Sequence, residues 1–364
     1  MNTRSIAEAL AAAAADFLLL GKISTEDLLQ VVQTELGHVE ILDGFAPYGN
    51  HHARAFGPDV ILHIVSGNTP HAALQSLIRG LLLKSRNLVK IPRAGLPEVE
   101  EFCSKLPEEL RARVQIASEL SEAWIQQANA VIVFGSDETI HAIRKKVPAS
   151  IPFFAHGNRL SFGIVFDDPS FASVANAAKD ASLYDQQGCL SPHIFYIKEN
   201  KPGDARLYAA NLAAQMETFQ KQHPRGDLSV NEAAQIFHLR TSYRFRAVND
   251  PRVALWESQN SDAWTVIYED DSWFATSCLN RVVYVKPLPD DISASLTSVQ
   301  HWLGAIGIWP CEVQFAEKLQ HFGASRICAI GQMQNPAFTW HQESRQTLAP
   351  LVRWVDFEGV KSCV

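Results

Sequence analysis

Val60-Ile61-Leu62-His63-Ile64-Val65-Ser66-Gly67-Asn68-Thr69-Pro70 is a short apolar run closed by a glycine, two cap-forming residues and a proline. Its length and aliphatic content suit a strand buried on both faces. Pro70 fits the first position of a helix and Thr69 fits its cap. The stretch therefore predicts a strand, a turn and a helix over 71–84. The alternation continues with strand 87–92, helix 97–106, strand 114–117, strand 130–134 and helix 138–146. Strands and helices alternating at this spacing call for a parallel sheet covered on both faces. Ligands of such sheets sit beyond the carboxyl ends of the strands. Asn68, Lys90 with Arg93, and Ser136 stand at three such ends and are expected to line one crevice.

Upstream, the alanine-rich stretch 7–20 reads as a helix stopped by Gly21, not as a leader, because Glu8 and Asp16 interrupt it. Ser24 with Asp27 gives a capping-box start to a second helix that Gly37 ends. Residues 43–55 are polar, contain Gly and His, and carry no periodicity that assigns an element. Downstream, strand 163–166 ends in Asp167-Asp168, and helix 172–183 leads to Tyr184-Asp185-Gln186-Gln187-Gly188-Cys189-Leu190-Ser191-Pro192. Strand 193–197 follows, then helices 204–222 and 229–239, strands 264–268 and 281–286, helix 292–303 and strand 326–330. The tail 351–357 alternates and reads as a strand. The second half is thus a second α/β lobe.

The chain has 364 residues, 47% of them hydrophobic, and a formal charge of -7. That balance argues against nucleic acid or an anionic membrane as the main partner, and no run is long enough to span a bilayer. The six cysteines (103, 189, 278, 311, 328 and 363) form no framework, which suggests reduced thiols in a cytoplasm. His51-His52 and His321 with His341 lack ligand spacing, so no metal site is expected. Within 184–192 a glycine precedes Cys189 and a proline limits the exit, a context that suits a displayed nucleophile. The competing reading is a buried small hydrophobe.

Taken together, the motifs resemble the aldehyde dehydrogenase superfamily and, within it, the LuxC-type acyl-CoA reductases that supply aldehyde for bacterial bioluminescence. Ser66-Gly67-Asn68-Thr69-Pro70 is similar to the superfamily segment whose asparagine helps bind the oxyanion. Val89-Lys90 resembles the strand-end lysine at the cofactor ribose, and Phe134-Gly135-Ser136 resembles the turn near the pyrophosphate. Ile164 to Asp168 matches a strand of the catalytic region, and Gln187-Gly188-Cys189 matches the nucleophile. The run from Gly323 to Arg326 and on to 351–355 resembles the LuxC-type branch, and the likeness extends over roughly residues 55 to 357.

This resemblance implies an α/β fold of aldehyde dehydrogenase type, with a Rossmann-type cofactor domain and an α/β catalytic domain. The implied division is 1–155 for cofactor binding, 156–345 for the catalytic thiol, and 346–364 as a C-terminal strand serving oligomerisation. It implies reduction of an acyl-CoA or other acyl thioester to an aldehyde through an acyl-Cys189 intermediate, with CoA as leaving group. Asn68 would steady the oxyanion, and Lys90, Arg93, Gly135 and Ser136 would hold the cofactor. His156 falls where the superfamily has its general-base glutamate, and that change favours reduction over oxidation. Arg93 replaces the acid that binds the ribose 2′-hydroxyl, which favours NADPH over NADH. An acyl-donor partner enzyme and a homo-oligomer are further implications. The remaining alternatives are an acyl-phosphate reductase, a non-redox acyltransferase using Cys189, and a non-catalytic member acting as a binding subunit.

Overall fold

The computed structural model describes residues 1–17, 20–67 and 70–359. It forms two compact units, one built from Met1–Asn158 with Asn335–Val364 and the other from Arg159–Gln334.

In the first unit, helix α1 (Thr3–Ala14) starts at the Asn2 side chain, which accepts the Ser5 N–H at 2.8 Å. It ends seven residues before Gly21, short of the expected stop. Phe17 turns into the core there and packs edge-on against Phe102 at 5.8 Å, and Leu18-Leu19 lie outside the described residues. Helix α2 (Thr25–Leu36) has the expected reciprocal cap of Ser24 with Asp27, and Gly37 ends it at φ +83°. The polar stretch after it holds strands β1 (Ala46–Tyr48) and β2 (His51–Phe56), an antiparallel pair that the sequence reading missed. Only Ala53 and Ala55 of β2 are buried, and two alanines among histidines and arginine give little hydrophobic contrast.

The alternating core then follows: β3 (Val60–Ile64), α3 (Pro70–Leu82), β4 (Arg86–Lys90), α4 (Pro97–Lys105), α5 (Glu108–Arg111) and β5 (Val114–Ala117). Helix α6 (Glu122–Gln127), β6 (Ala130–Phe134), α7 (Asp137–Arg144) and β7 (Phe153–His156) complete it. The five strands form a parallel sheet in the order β5-β4-β3-β6-β7. Strand β7 escaped notice because it is a sheet edge and none of its residues is fully buried.

The second unit comprises β8 (Leu160–Val165), α8 (Val174–Ser182), β9 (Pro192–Ile197), α9 (Asp204–Gln222), α10 (Val230–Asn249), β10 (Val253–Glu257), β11 (Thr265–Glu269) and β12 (Val282–Pro287). It continues with α11 (Ser293–Leu296), β13 (Leu303–Trp309), α12 (Val313–Leu319) and β14 (Arg326–Ala329). Its seven-stranded sheet runs β10-β11-β12-β9-β8-β13-β14, with only the β10-β11 pair antiparallel.

Two expectations fail here. Helix α10 runs ten residues past Leu239, because the Arg240 guanidinium is buried and donates to Thr265 Oγ1, Ser258 Oγ and Trp264 O. The helix expected over 292–303 is only α11 and a 3₁₀ turn, and Leu303–Trp309 is a central strand. Gly304 and Gly307 interrupt the apolar run of that strand. At Gly307 a Cβ would lie 2.6 Å from Met333 Sδ, so a side chain there would force Met333 to shift.

Residues from Asn335 return to the first unit, and the two units divide at 158/159 and 334/335, beside the 155/156 and 345/346 expected for functional domains. The Glu35 carboxylate gathers this segment by accepting the N–H groups of Thr347, Leu348 and Ala349 at 2.8, 2.6 and 3.1 Å. Strand β15 (Arg353–Phe357) then pairs antiparallel with β2 and forms an edge of the order β1-β2-β15. Among the described residues no helix is long and apolar enough to cross a membrane.

Gly163 of β8 sits opposite Phe195 of β9, the strand that follows the Cys189 loop. A Cβ at Gly163 would lie 2.2 Å from the Phe195 ring, which is fully buried. We expect Gly163→Ala to cost about 1–3 kcal/mol through overpacking. Urea unfolding checks this, and a midpoint equal to wild type would show that the ring swings away freely.

Candidate active site

Cys189 is the exposed member of a buried run, with Gly188 and Leu190 covered on either side. It stands in the loop that enters β9, at the amino ends of β8, β9 and β13. The Ser161 hydroxyl donates to the Cys189 carbonyl at 2.9 Å and accepts the Ala305 N–H at 3.0 Å, which ties the loop to both neighbouring strands.

Immediately before it, Tyr184, Asp185 and Gln186 have φ values of +53°, +52° and +62°. Three consecutive left-handed residues without a glycine are unusual, and such strain gathers at functional sites. Facing them is a second left-handed triple, Leu279, Asn280 and Arg281, at +63°, +56° and +62°.

The two triples are laced together. Gln186 is fully buried, donates to Pro192 O and Val282 O at 2.8 and 2.7 Å, and accepts the Val282 N–H at 2.8 Å. Asp185 pairs with Arg281 at 2.8 Å, and Gln187 donates to Asn280 Oδ1 at 2.9 Å.

The far side of the loop is fixed by Asp180 of α8. Its carboxylate accepts the Gly331 and Met333 N–H groups, and Gln334 bridges Asp180 O to Ser191 Oγ. Sequence reasoning missed Asp180, Gln334 and the 279–281 triple, because none has a motif. Burial pushes the Asp180 carboxyl up to about 7, against the two backbone donors that lower it. His193, four residues after Cys189, is held neutral by burial, which lowers it to about 4, and its Nδ1 accepts the Ser277 N–H at 3.1 Å.

Among the other described cysteines, burial pushes Cys103 and Cys328 up to about 12 and also raises Cys278, while Cys311 is exposed just after the cis Trp309–Pro310 bond. Cys363 lies outside the described residues. Among the described residues no cluster of three or more His, Cys, Asp or Glu could hold a metal.

In the first unit the predicted residues stand at the carboxyl ends of one sheet. Lys90 ends β4, half-buried, and its ammonium has no hydrogen-bond or ion-pair partner among the described residues. Arg93 is 83% exposed and pairs with Glu119 at 3.0 Å. Ser136, next to Gly135, caps α7 by accepting the Thr139 N–H at 3.3 Å, and α7 begins with Asp137 and Glu138. Asn68 lies outside the described residues.

His156 ends β7 and stacks on Phe134 of the adjacent strand, with centroids 4.6 Å apart and planes inclined at 17°. Its Nδ1 lies 3.0 Å from Glu343 Oε1. Both residues line a cavity of about 150 Å³ with Ser76, Arg79, Phe154 and Leu351. Glu343 was not foreseen, because 187 positions separate it from His156.

With this geometry in hand, a family model described as acyl-CoA reductase (LuxC) matches residues 6–354. Long-chain acyl-protein thioester reductases of Aliivibrio fischeri and Vibrio harveyi are 25% and 24% identical, over 94% of this chain and 73% of each relative. Among solved structures, a betaine aldehyde dehydrogenase from Staphylococcus aureus in complex with NAD+ superposes with TM-score 0.66 at 12% identity, over 100% of this chain and 85% of that one. An aldehyde dehydrogenase from Bacillus cereus gives TM-score 0.66 at 13% identity, over 98% and 84%. These likenesses show the aldehyde dehydrogenase-like α/β fold.

The raised carboxyl of Asp180 fixes the sign of a pH effect. An unfolded aspartate loses its proton near pH about 4, whereas the folded one keeps it to about 7. The folded chain therefore holds the extra proton across that window, and its stability falls as pH rises through it. Asp180→Asn removes this dependence, so the variant's stability relative to wild type should rise steadily as pH climbs from about 4 to 7, from a deficit set by the lost acceptor. Urea midpoints across that range measure the difference, and a gap that stays constant with pH would sink the assignment.

Proposed function

We propose, for a chain that belongs to the acyl-CoA reductase (LuxC) family, the reduction of an acyl thioester to its aldehyde through an acyl-Cys189 intermediate. The observation that carries this reading is the exposed Cys189 in a loop set by two interlocked left-handed triples. Such preorganisation suits a thiol that must attack a carbonyl carbon from a fixed direction.

Cys189 Sγ bonds to the acyl carbon as the carrier's S–C bond breaks, and the carrier leaves as a thiol. An ordinary cysteine is only a few per cent thiolate at pH 7, so a base must take its proton. His156 is our candidate, in place of the glutamate that activates water in hydrolytic relatives of the superfamily. Asn68 is proposed to donate to the oxyanion, a contact typically worth about 10² to 10³ in rate.

A nicotinamide cofactor is part of the reading, and the first unit's residues fit one. Lys90 offers an ammonium with no partner among the described residues at a strand end, where ribose hydroxyls and phosphates are usually met. Arg93 offers a guanidinium held by an exposed ion pair with Glu119, the kind worth about 0–1 kcal/mol. Gly135 and Ser136 form the turn before α7, the third strand-end position in our cofactor assignment. When bound, the reduced nicotinamide supplies a hydride to the acyl carbon. Cys189 then leaves as thiolate and takes a proton from solvent, giving aldehyde and free enzyme. NADPH is our preferred form because Arg93 can meet a 2′-phosphate. The carrier is CoA in the family's description and a protein in the relatives' names, so both donors belong in the test.

The decisive experiment offers acyl-CoA and an acylated carrier protein in parallel and follows acyl-enzyme, free acid and aldehyde. We expect rapid acylation of Cys189, slow release of acid without cofactor, and aldehyde once NADPH is added. Cys189→Ala should abolish acylation and leave cofactor binding intact. Acid released without cofactor as fast as aldehyde forms with it would mean a thioesterase. Aldehyde formation by the alanine variant would end the reading.

Cofactor choice gives a separate expectation. Arg93→Glu should weaken NADPH at least tenfold more than NADH, measured by the ratio of their Kd values. An unchanged ratio would reduce Arg93 to a solvated partner of Glu119.

A further inference from the structure

We infer that Glu343 is the positioning residue for His156, holding the proton on Nδ1 and leaving Nε2 as the atom that accepts and returns a proton. This rests on the proposed thioester reduction, in which His156 is the base.

Two contacts fix the ring. The parallel stack on Phe134 sets its plane, and the carboxylate 3.0 Å from Nδ1 sets its rotation within that plane. An ionised carboxylate can only accept, so the nitrogen facing it must carry hydrogen. A histidine's tautomer is decided by the hydrogen bond its other nitrogen makes. Both side chains are largely covered, at 20% and 16% exposure, so water competes weakly for the contact.

The backbone supports the same conclusion independently. Glu343 and Ser344 have φ values of +53° and +63°, a conformation that residues with a side chain rarely adopt. Strain of this kind persists where the surroundings over-determine it, and it clusters at working sites. The surroundings here are explicit, because Glu35 grips the adjoining Thr347 to Ala349 through their N–H groups. The bend aims Glu343 at the cavity that His156 also lines. Other charged groups face this place. Arg79 of α3 and Arg345 line the cavity, and Asp137 of α7 lies beside Gly157, the residue after His156.

In the acylation step the thiol proton moves to Nε2 and the ring becomes imidazolium, with the Glu343 carboxylate as counter-charge at Nδ1. As the new S–C bond forms and the carrier's S–C bond breaks, that proton passes to the departing thiolate, and His156 is neutral again. Nothing is oxidised or reduced in this half-reaction.

The test measures acylation by acyl-CoA against pH for wild type, Glu343→Gln, Glu343→Ala, His156→Ala and Cys189→Ala, alongside urea stability and ¹⁵N-histidine spectra. His156→Ala should lose the fall in rate on the acid side. Glu343→Ala should lower the plateau about tenfold or more and move the acid limb to lower pH, because the imidazolium loses its counter-charge. Glu343→Gln keeps an acceptor for Nδ1–H, so it should retain most of the plateau while its limb moves as in the alanine variant. The spectra should show the Nδ1–H tautomer of His156 in wild type and Glu343→Gln, and a mixture in Glu343→Ala. A merely structural Glu343 would lower stability without moving the limb or the tautomer, and that result overturns the inference. An acid limb that survives in His156→Ala overturns it as well. Acylation or turnover by Cys189→Ala would instead bring down the reading beneath it.

Discussion

Strands buried on both faces can offer chemistry only where they end, and both sheets of this protein obey that constraint. Strand β9 is buried at all six positions, and β3 exposes little beyond its first residue. Polar and reactive groups are thereby forced into the connecting turns. In the first unit they stand at carboxyl ends, as Lys90, Ser136 and His156 do. In the second unit Cys189 stands at the opposite, amino-terminal ends of β8, β9 and β13. The usual rule for parallel sheets would have located the first group and missed the second.

Turns that carry a nucleophile must also be stiff, and the Cys189 loop shows how stiffness is reached without glycine. Each left-handed residue with a side chain costs about 1–3 kcal/mol, and six of them face one another here. Net hydrogen bonds contribute about 1 kcal/mol each. No single contact could hold such a loop, and Gln186 accordingly gives both amide N–H groups to Pro192 and Val282 and accepts the Val282 N–H. The ion pair of Asp185 with Arg281 and the clamp of Asp180 on Gly331 and Met333 act on the same loop. The conformation is thus a collective property, and removing one partner should be felt by all.

How much of this was legible in the sequence followed from where the information lies. Helix α2 was readable at both ends because Ser24, Asp27 and Gly37 are local signals. Strand β6 and helix α9 matched their expected bounds, since a continuous apolar run and a long helical segment need no partner to be recognised. Strands β1, β2, β7, β10 and β13 were lost. Four of them carry weak or edge-type patterns, and β13 carries glycines packed closely against neighbouring side chains. Cys189 was singled out by its local context together with the family resemblance. Its supports at 180, 279–281 and 334, and Glu343 beside His156, were not, because each is defined by a contact across many residues. Local chemistry can be read from a chain, whereas preorganisation belongs to the fold.

The same distinction bears on how an anionic cofactor could be held. The N-terminus of α7 is a poor anion site taken alone, because its first turn carries Asp137 and Glu138 and its cap is satisfied by Ser136. Those carboxylates already complement the helix dipole that a phosphate would otherwise use. The attractive charge would then have to come from side chains elsewhere along the carboxyl end of the sheet, at and just after β4. Lys90 has an ammonium without a partner among the described residues, and Arg93 is held only by a pair in which both members are mostly exposed, at 83% and 73%. A screened pair of that kind exchanges readily for a phosphate. Glu119 then has a part of its own. It neutralises Arg93 when no phosphate is present, and it would compete for the guanidinium whenever a cofactor lacks the 2′-phosphate. Discrimination between the two nicotinamide cofactors would thus rest on a three-way balance among Lys90, Arg93 and Glu119, more than on any single basic residue.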